Sequence, residues 1–156
     1  MEALVFLSGV FYQMAIDQYT SYDDIYSVLI YYSNTFESLK NHEGLISDLA
    51  KKYSEHGCFL VINEDGISNG FTAFYLNDET KTAYISLIAT NKNSRRQGYG
   101  KRLINELIRV SIDNGMEKIK LEVRKKNLNA IEFYRSQDFD ILDSKNEESY
   151  YMQKII

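Results

Sequence analysis

The sequence predicts a mixed α/β fold: a central sheet carrying helices on both faces, in the order β-α-α-β-β-β-α-β-α-β-β. Three observations lead there. Strand-like segments fill Cys58 to Thr90, broken only by two turn sequences. Apolar residues then recur at helical spacing in Leu103, Ile104, Leu107 and Ile108. A strand and a short helix follow, and two more strands close the chain.

Each element has its own signal. Phe11 to Gln18 alternates as a first strand. Ser21-Tyr22-Asp23-Asp24 is a capping box with Asp in the Glu position, opening a helix that runs to about Leu39. A second helix covers Leu45 to Glu55 and stops at His56-Gly57. Strands follow at Cys58 to Asn63, Ile67 to Leu76 and Lys81 to Thr90, separated by Glu64-Asp65-Gly66 and Asn77-Asp78-Glu79-Thr80. A helix from Gly98 to Asn114 ends at Gly115. Lys118 to Arg124 reads as a strand, Leu128 to Gln137 as a helix, and Phe139 to Ser144 and Ser149 to Ile155 as the last strands.

Bulk properties narrow the function. The 156 residues suit one domain, 1–156, large enough to bury a core. A net charge of −4 argues against nucleic acid as the partner. The apolar opening carries Glu2 and lacks a basic leader, and no run is long enough to cross a bilayer, so neither secretion nor membrane insertion is expected. The single cysteine, Cys58, excludes an internal disulfide framework and fits a reducing compartment; the expected location is cytoplasmic. His42 and His56 show no ligand spacing, and no metal is expected.

Against this acidic background, Arg95-Arg96-Gln97-Gly98-Tyr99-Gly100-Lys101-Arg102 concentrates cations and contains no acid. Gly98 and Gly100 let the backbone approach a ligand that a Cβ would push away. The loop opens onto a helix, whose first N–H groups lack partners and whose dipole is positive there. These features make an anion cradle suited to phosphate. It is neither a dinucleotide fingerprint, which needs G-x-G-x-x-G, nor a P-loop, which needs Gly-Lys-Ser/Thr.

The pattern Arg95-x-x-Gly98-x-Gly100, after a strand ending Ile88-Ala89-Thr90, resembles the acyl-CoA loop of the GNAT superfamily of N-acetyltransferases. A second block agrees: Leu121-Glu122-Val123, Asn127, Ala130, Phe133-Tyr134 and Asp138-Phe139 resemble the family's following strand, helix and closing turn. The resemblance implies one GNAT-like acetyltransferase domain with a mixed, mostly antiparallel sheet, binding acetyl-CoA as acyl donor. It implies that main-chain N–H groups of Arg95, Arg96, Gln97, Gly98, Tyr99, Gly100 and Lys101 hold the pyrophosphate. Ile88, Ala89 and Thr90 pair with the pantetheine arm, Asn127, Ala130 and Phe133 border the cofactor, and Tyr134 protonates the departing thiolate. Thr90 and Lys92 stand where the family commonly has valine and proline, and neither change removes a main-chain donor; Asp138 stands where it has glycine and can still adopt a left-handed turn, though less readily.

Side-chain readings leave several alternatives open. Asn127 suits an N-cap as well as a cofactor contact. Phe133 reads as core, and Tyr134, about 100° around the helix, points elsewhere, as an acid or as packing. Glu122 leaves the face used by Leu121 and Val123 and is either the general base or a surface group on the sheet. Tyr84 and Ser86 share a strand face and could line the acceptor pocket or relay a proton through water. Tyr19, Tyr22, Tyr26, Tyr31 and Tyr32 make the first helical region aromatic, either as packing or as a border to the acceptor.

The reaction implied is direct attack of a primary amine on the thioester. Tyrosine and a leaving thiol differ by about 1.5 in unperturbed pKa, so the proton transfer is uphill by about 2 kcal/mol. The expected acceptor is a small-molecule amine, with a protein N-terminus or lysine second. A homodimer is compatible with the resemblance. Two other classes compete: a non-catalytic acyl-CoA-binding sensor or interaction module of the same fold, and a plain phosphate-binding protein.

Overall fold

The computed structural model describes residues 2–7, 10–94 and 97–156. The fold class is as expected, mixed α and β with a mostly antiparallel sheet, and the element order gains one strand at its start. That strand, β1 (Glu2–Leu7), pairs antiparallel with β2 (Val10–Gln18). Helix α1 (Tyr22–Tyr32) begins as the capping box requires: the Ser21 side chain accepts from the Asp24 N–H at 3.2 Å. It stops at Tyr32, short of the expected Leu39, and Ser33–Thr35 form a single 3-10 turn. The cause is local. The Ser33 hydroxyl donates to the Ile30 carbonyl at 2.8 Å, and Ser-Asn-Thr is a run of weak helix formers.

Helix α2 (Glu43–His56) precedes β3 (Cys58–Glu64), β4 (Ile67–Asn77) and β5 (Thr82–Thr90). The remaining elements are α3 (Tyr99–Asp113), β6 (Lys118–Arg124), α4 (Leu128–Ser136), β7 (Asp140–Ser144) and β8 (Ser149–Ile155). These elements form two compact units, Met1–Phe74 with Leu87–Leu103, and Tyr75–Ser86 with Ile104–Ile156.

In the first unit, β1, β2, β3 and β4 are hydrogen-bonded in sequence order, each pair antiparallel. Helix α1 buries Ile25, Val28, Leu29 and Tyr32, an i, i+3, i+4, i+7 stripe, and α2 buries Ile46, Ala50 and Tyr53. An aromatic cluster fills the core: Phe59 stacks on Phe71 at 5.1 Å, with Tyr32 against Phe71 and Tyr53 against Phe59.

In the second unit, the start of β5 pairs parallel with β6, and β6, β8 and β7 follow in antiparallel order. Ile104, Leu107 and Val110 of α3 are buried, as are Ile119, Leu121 and Val123 on alternate positions of β6. Helix α3 gives way at Gly115, whose φ of 78° is the left-handed conformation glycine tolerates.

Candidate active site

The first unit carries the loop expected to cradle the anion. The parallel ladder between β5 and β6 covers Thr82–Ile85 against Lys118–Leu121, and β5 itself runs on to Thr90. Strand β4 lies very close to this terminal stretch of β5. A Cβ built on Gly70 would fall 2.9 Å from the Ala89 carbonyl oxygen and 3.3 Å from the Thr90 methyl, so only glycine allows the approach. The Thr72 hydroxyl donates to the Leu87 carbonyl at 3.1 Å, adding a second tie. Ala89 is buried, and Ile88 and Thr90 are half-buried.

Beyond β5, Lys92–Ser94 form a 3-10 turn, capped by Asn91, whose side-chain oxygen accepts from the Asn93 N–H. Arg95 and Arg96 lie outside the described residues. Gly98 has φ 79°, and nothing lies within 4 Å of the place a Cβ would occupy, so its outer side is open. Its carbonyl accepts the Arg102 N–H at 3.0 Å, which starts α3. The N–H groups of Tyr99, Gly100 and Lys101 therefore belong to the first turn, where the helix supplies them no acceptor. No acid stands in that turn, and Lys101 and Arg102 are exposed beside it. The Tyr99 side chain turns inward, 7 % exposed, and its hydroxyl donates to Glu64. Burial, together with the Glu64 carboxylate, pushes its pKa up to about 12. Tyr99 can thus offer an approaching anion its main-chain N–H but not its phenol.

The second unit carries Asn127, Tyr134 and Glu122, the residues expected to serve the cofactor and the proton transfers. Asn127, an exposed residue, is the N-cap of α4, its side-chain oxygen accepting from the Ala130 N–H at 3.1 Å. Ala130 and Phe133 are half-buried. The expectation that Phe133 belongs to the core is corrected: α4 buries Ile131 and Tyr134, one turn apart, and Phe133 falls to the side of that face. Tyr134 is 7 % exposed and lies edge-on to Phe139 at 5.6 Å. Burial raises its pKa well above the usual tyrosine value, so its hydroxyl stays protonated and has a proton to donate. Asp138 adopts φ 65°, the left-handed turn expected of it, and lets the Phe139 N–H reach the Tyr134 carbonyl at 3.0 Å.

Glu122 is bound to Lys145 at 2.6 Å. That ammonium, helped by Ser149, holds its carboxyl below the ordinary carboxylate range, which weakens it as a base. Lys145 gave no signal in the sequence, because it sits in a charged turn 23 residues away. Tyr84 is half-buried near the same pair, and desolvation, reinforced by Glu122 and Tyr151, raises its pKa. Ser86 is exposed. Among the described residues, no group of three or more His, Cys, Asp or Glu side chains is placed to hold a metal.

Comparison with known proteins adds to this geometry. The family model described as "Acetyltransferase (GNAT) family" matches residues 21–139. No curated protein sequence matches. Among solved structures, Ard1 from Thermoplasma volcanium is 28 % identical, with TM-score 0.74 over 92 % of this chain and 97 % of that one. The ribosomal-protein-S18-alanine N-acetyltransferase of Escherichia coli is 20 % identical, with TM-score 0.74 over 92 % and 94 %. The PaiA N-acetyltransferase of Thermoplasma acidophilum, solved with coenzyme A, is 16 % identical, with TM-score 0.71 over 91 % and 99 %.

Proposed function

The chain belongs to the acetyltransferase (GNAT) family, and on that footing we propose that it moves the acetyl group of acetyl-CoA directly to a primary amine of a small molecule. The observation that carries this reading is the start of α3. Gly98 is open on its outer side, the helix supplies no acceptor to the first-turn N–H groups that follow it, and Lys101 and Arg102 but no acid stand in that turn. A diphosphate fits such a place by charge and by hydrogen bonding. The end of β5, from Ile88 to Thr90, suits an extended amide-bearing arm that adds to a strand.

The chemistry is attack of the amine lone pair on the thioester carbonyl carbon: a C–N bond forms, the C–S bond breaks, and the nitrogen loses a proton. Tyr134 supplies the proton that the thiolate takes up. Its raised pKa makes the transfer steeper than the ~2 kcal/mol expected of unshifted groups, so contact between hydroxyl and sulfur is required before the proton moves. A main-chain N–H between Ile88 and Thr90 is the donor proposed for the oxyanion. For the amine proton, Glu122 is the weaker option, because Lys145 already neutralises it. A water relay past Tyr84 and Ser86 fits better. Asn127, with its side-chain oxygen committed to Ala130, has an NH2 left to offer the cofactor.

The neutralised Glu122 also favours one alternative, an acyl-CoA-binding module that does not turn over. The two are separated by measuring thiol release from acetyl-CoA across a panel of amino sugars, polyamines, amino acids and peptides. Acetylation of any amine supports the enzyme, and tight coenzyme A binding without transfer to any of them supports the module.

A further inference from the structure

Glu64 and Asn69 lie outside both blocks that resemble the family, yet they connect both ends of the cradle loop. Strand β4 carries a bulge: Ile62 pairs with Gly70 and Asn63 with Ser68, so Asn69 has no partner position on β3. The bulge frees Asn69 to bond in two directions. Its carbonyl accepts the Asn91 N–H at 2.9 Å, where the loop leaves β5. Its side-chain NH2 donates to Glu64 Oε2 at 3.1 Å, and the same oxygen accepts the hydroxyl of Tyr99, the first residue of α3. Asn69 and Tyr99 are each 7 % exposed, so these bonds are shielded from water. Asn91 in turn caps the Lys92–Ser94 turn and donates to the Tyr31 hydroxyl at 3.2 Å.

A carboxylate this near an anion cradle opposes the anion's charge. What it holds in place offsets that cost: two donors from different elements converge on a single oxygen.

We propose that the Asn69 bulge and the Glu64 carboxylate are positioning groups for the cofactor. By fixing Asn91 and Tyr99 they hold the two ends of the loop, so that the N–H groups after Gly98 face the diphosphate before it arrives. This rests on reading that loop as the coenzyme A cradle. Pre-ordering of this kind acts on affinity, because the loop then loses less freedom on binding. Tyr99 acts here through its side chain, without touching the cofactor with it.

The test is a double-mutant cycle of Tyr99→Phe and Glu64→Leu, with Glu64→Gln as the conservative variant that keeps an acceptor oxygen. Coenzyme A affinity is read by calorimetry, steady-state constants by thiol release, and amide hydrogen exchange on the free proteins. Each single change should raise Kd and KM for acetyl-CoA about tenfold, the effect of one charge-assisted hydrogen bond, with kcat within about twofold. The double variant should match either single one, and Glu64→Gln should recover most of the loss. Exchange should quicken at 91–94 and 97–101 in both single variants. An unchanged Kd in Tyr99→Phe, or losses that multiply in the double variant, overturns the brace. Wild-type protein that binds no coenzyme A overturns the cradle reading instead, and the exchange data then still decide whether the brace exists.

Discussion

Replacing Gly70 with alanine tests the coupling between β4 and the end of β5. The new methyl would sit 2.9 Å from the Ala89 carbonyl oxygen, 3.2 Å from a Leu103 methyl and 3.3 Å from the Thr90 methyl. Carbon–carbon contacts are optimal at about 3.5–4.0 Å, so all three neighbours must retreat. Leu103 can rotate away; the Ala89 carbonyl is backbone and moves only if β5 moves. Overpacking of this kind costs about 1–3 kcal/mol, and in a protein of this size each kcal/mol lowers Tm by about 2–4 °C. The displaced segment is Ala89-Thr90, so coenzyme A affinity should fall about five- to tenfold along with stability. Urea unfolding and calorimetric titration with coenzyme A measure the two effects. A variant as stable as wild type, binding coenzyme A equally well, would refute the reasoning.

Tyr134→Phe should lower kcat by about 10²–10⁴-fold, the usual span for a lost general acid, while coenzyme A affinity and Tm hold; equal turnover removes Tyr134 from the chemistry. Asn127→Ala should cost about 1 kcal/mol from the lost N-cap, read as urea stability, and should weaken coenzyme A binding as well if its NH2 meets the cofactor. Lys145→Met should raise the pKa of Glu122. Because the ion pair depresses that pKa, its stabilisation exists above the ordinary carboxylate range and disappears as pH falls through the depressed value. The Tm difference between wild type and variant should therefore be present at pH 7 and absent in strong acid; a difference that persists in acid means that Lys145 acts by packing.

Local signals in the sequence located most of the fold. The Ser21 cap, the Gly66 and Gly115 turns and the Lys118–Arg124 strand need only neighbouring residues, and each appears where its chemistry puts it. Apart from the early stop of α1 at Tyr32, whose cause is local, misplaced features depend on distant partners. β1 is an apolar run whose strand character comes from pairing with β2. Whether Phe133 or Tyr134 is buried depends on how α4 sits against Phe139, and nine helical residues carry too little periodicity to decide it. The turn at Gly98 into α3 was legible because glycine acts through the backbone. Glu64, Asn69 and Lys145 were not, since the bonds that tie them to Tyr99, Asn91 and Glu122 span 35, 22 and 23 residues.

The most direct test of the central claim is a crystal structure with coenzyme A bound. The account predicts diphosphate oxygens within about 2.7–3.2 Å of main-chain nitrogens among residues 98–101, with the thiol arm along Ile88 to Thr90. A diphosphate bound away from the start of α3, with those nitrogens facing only water, would contradict it.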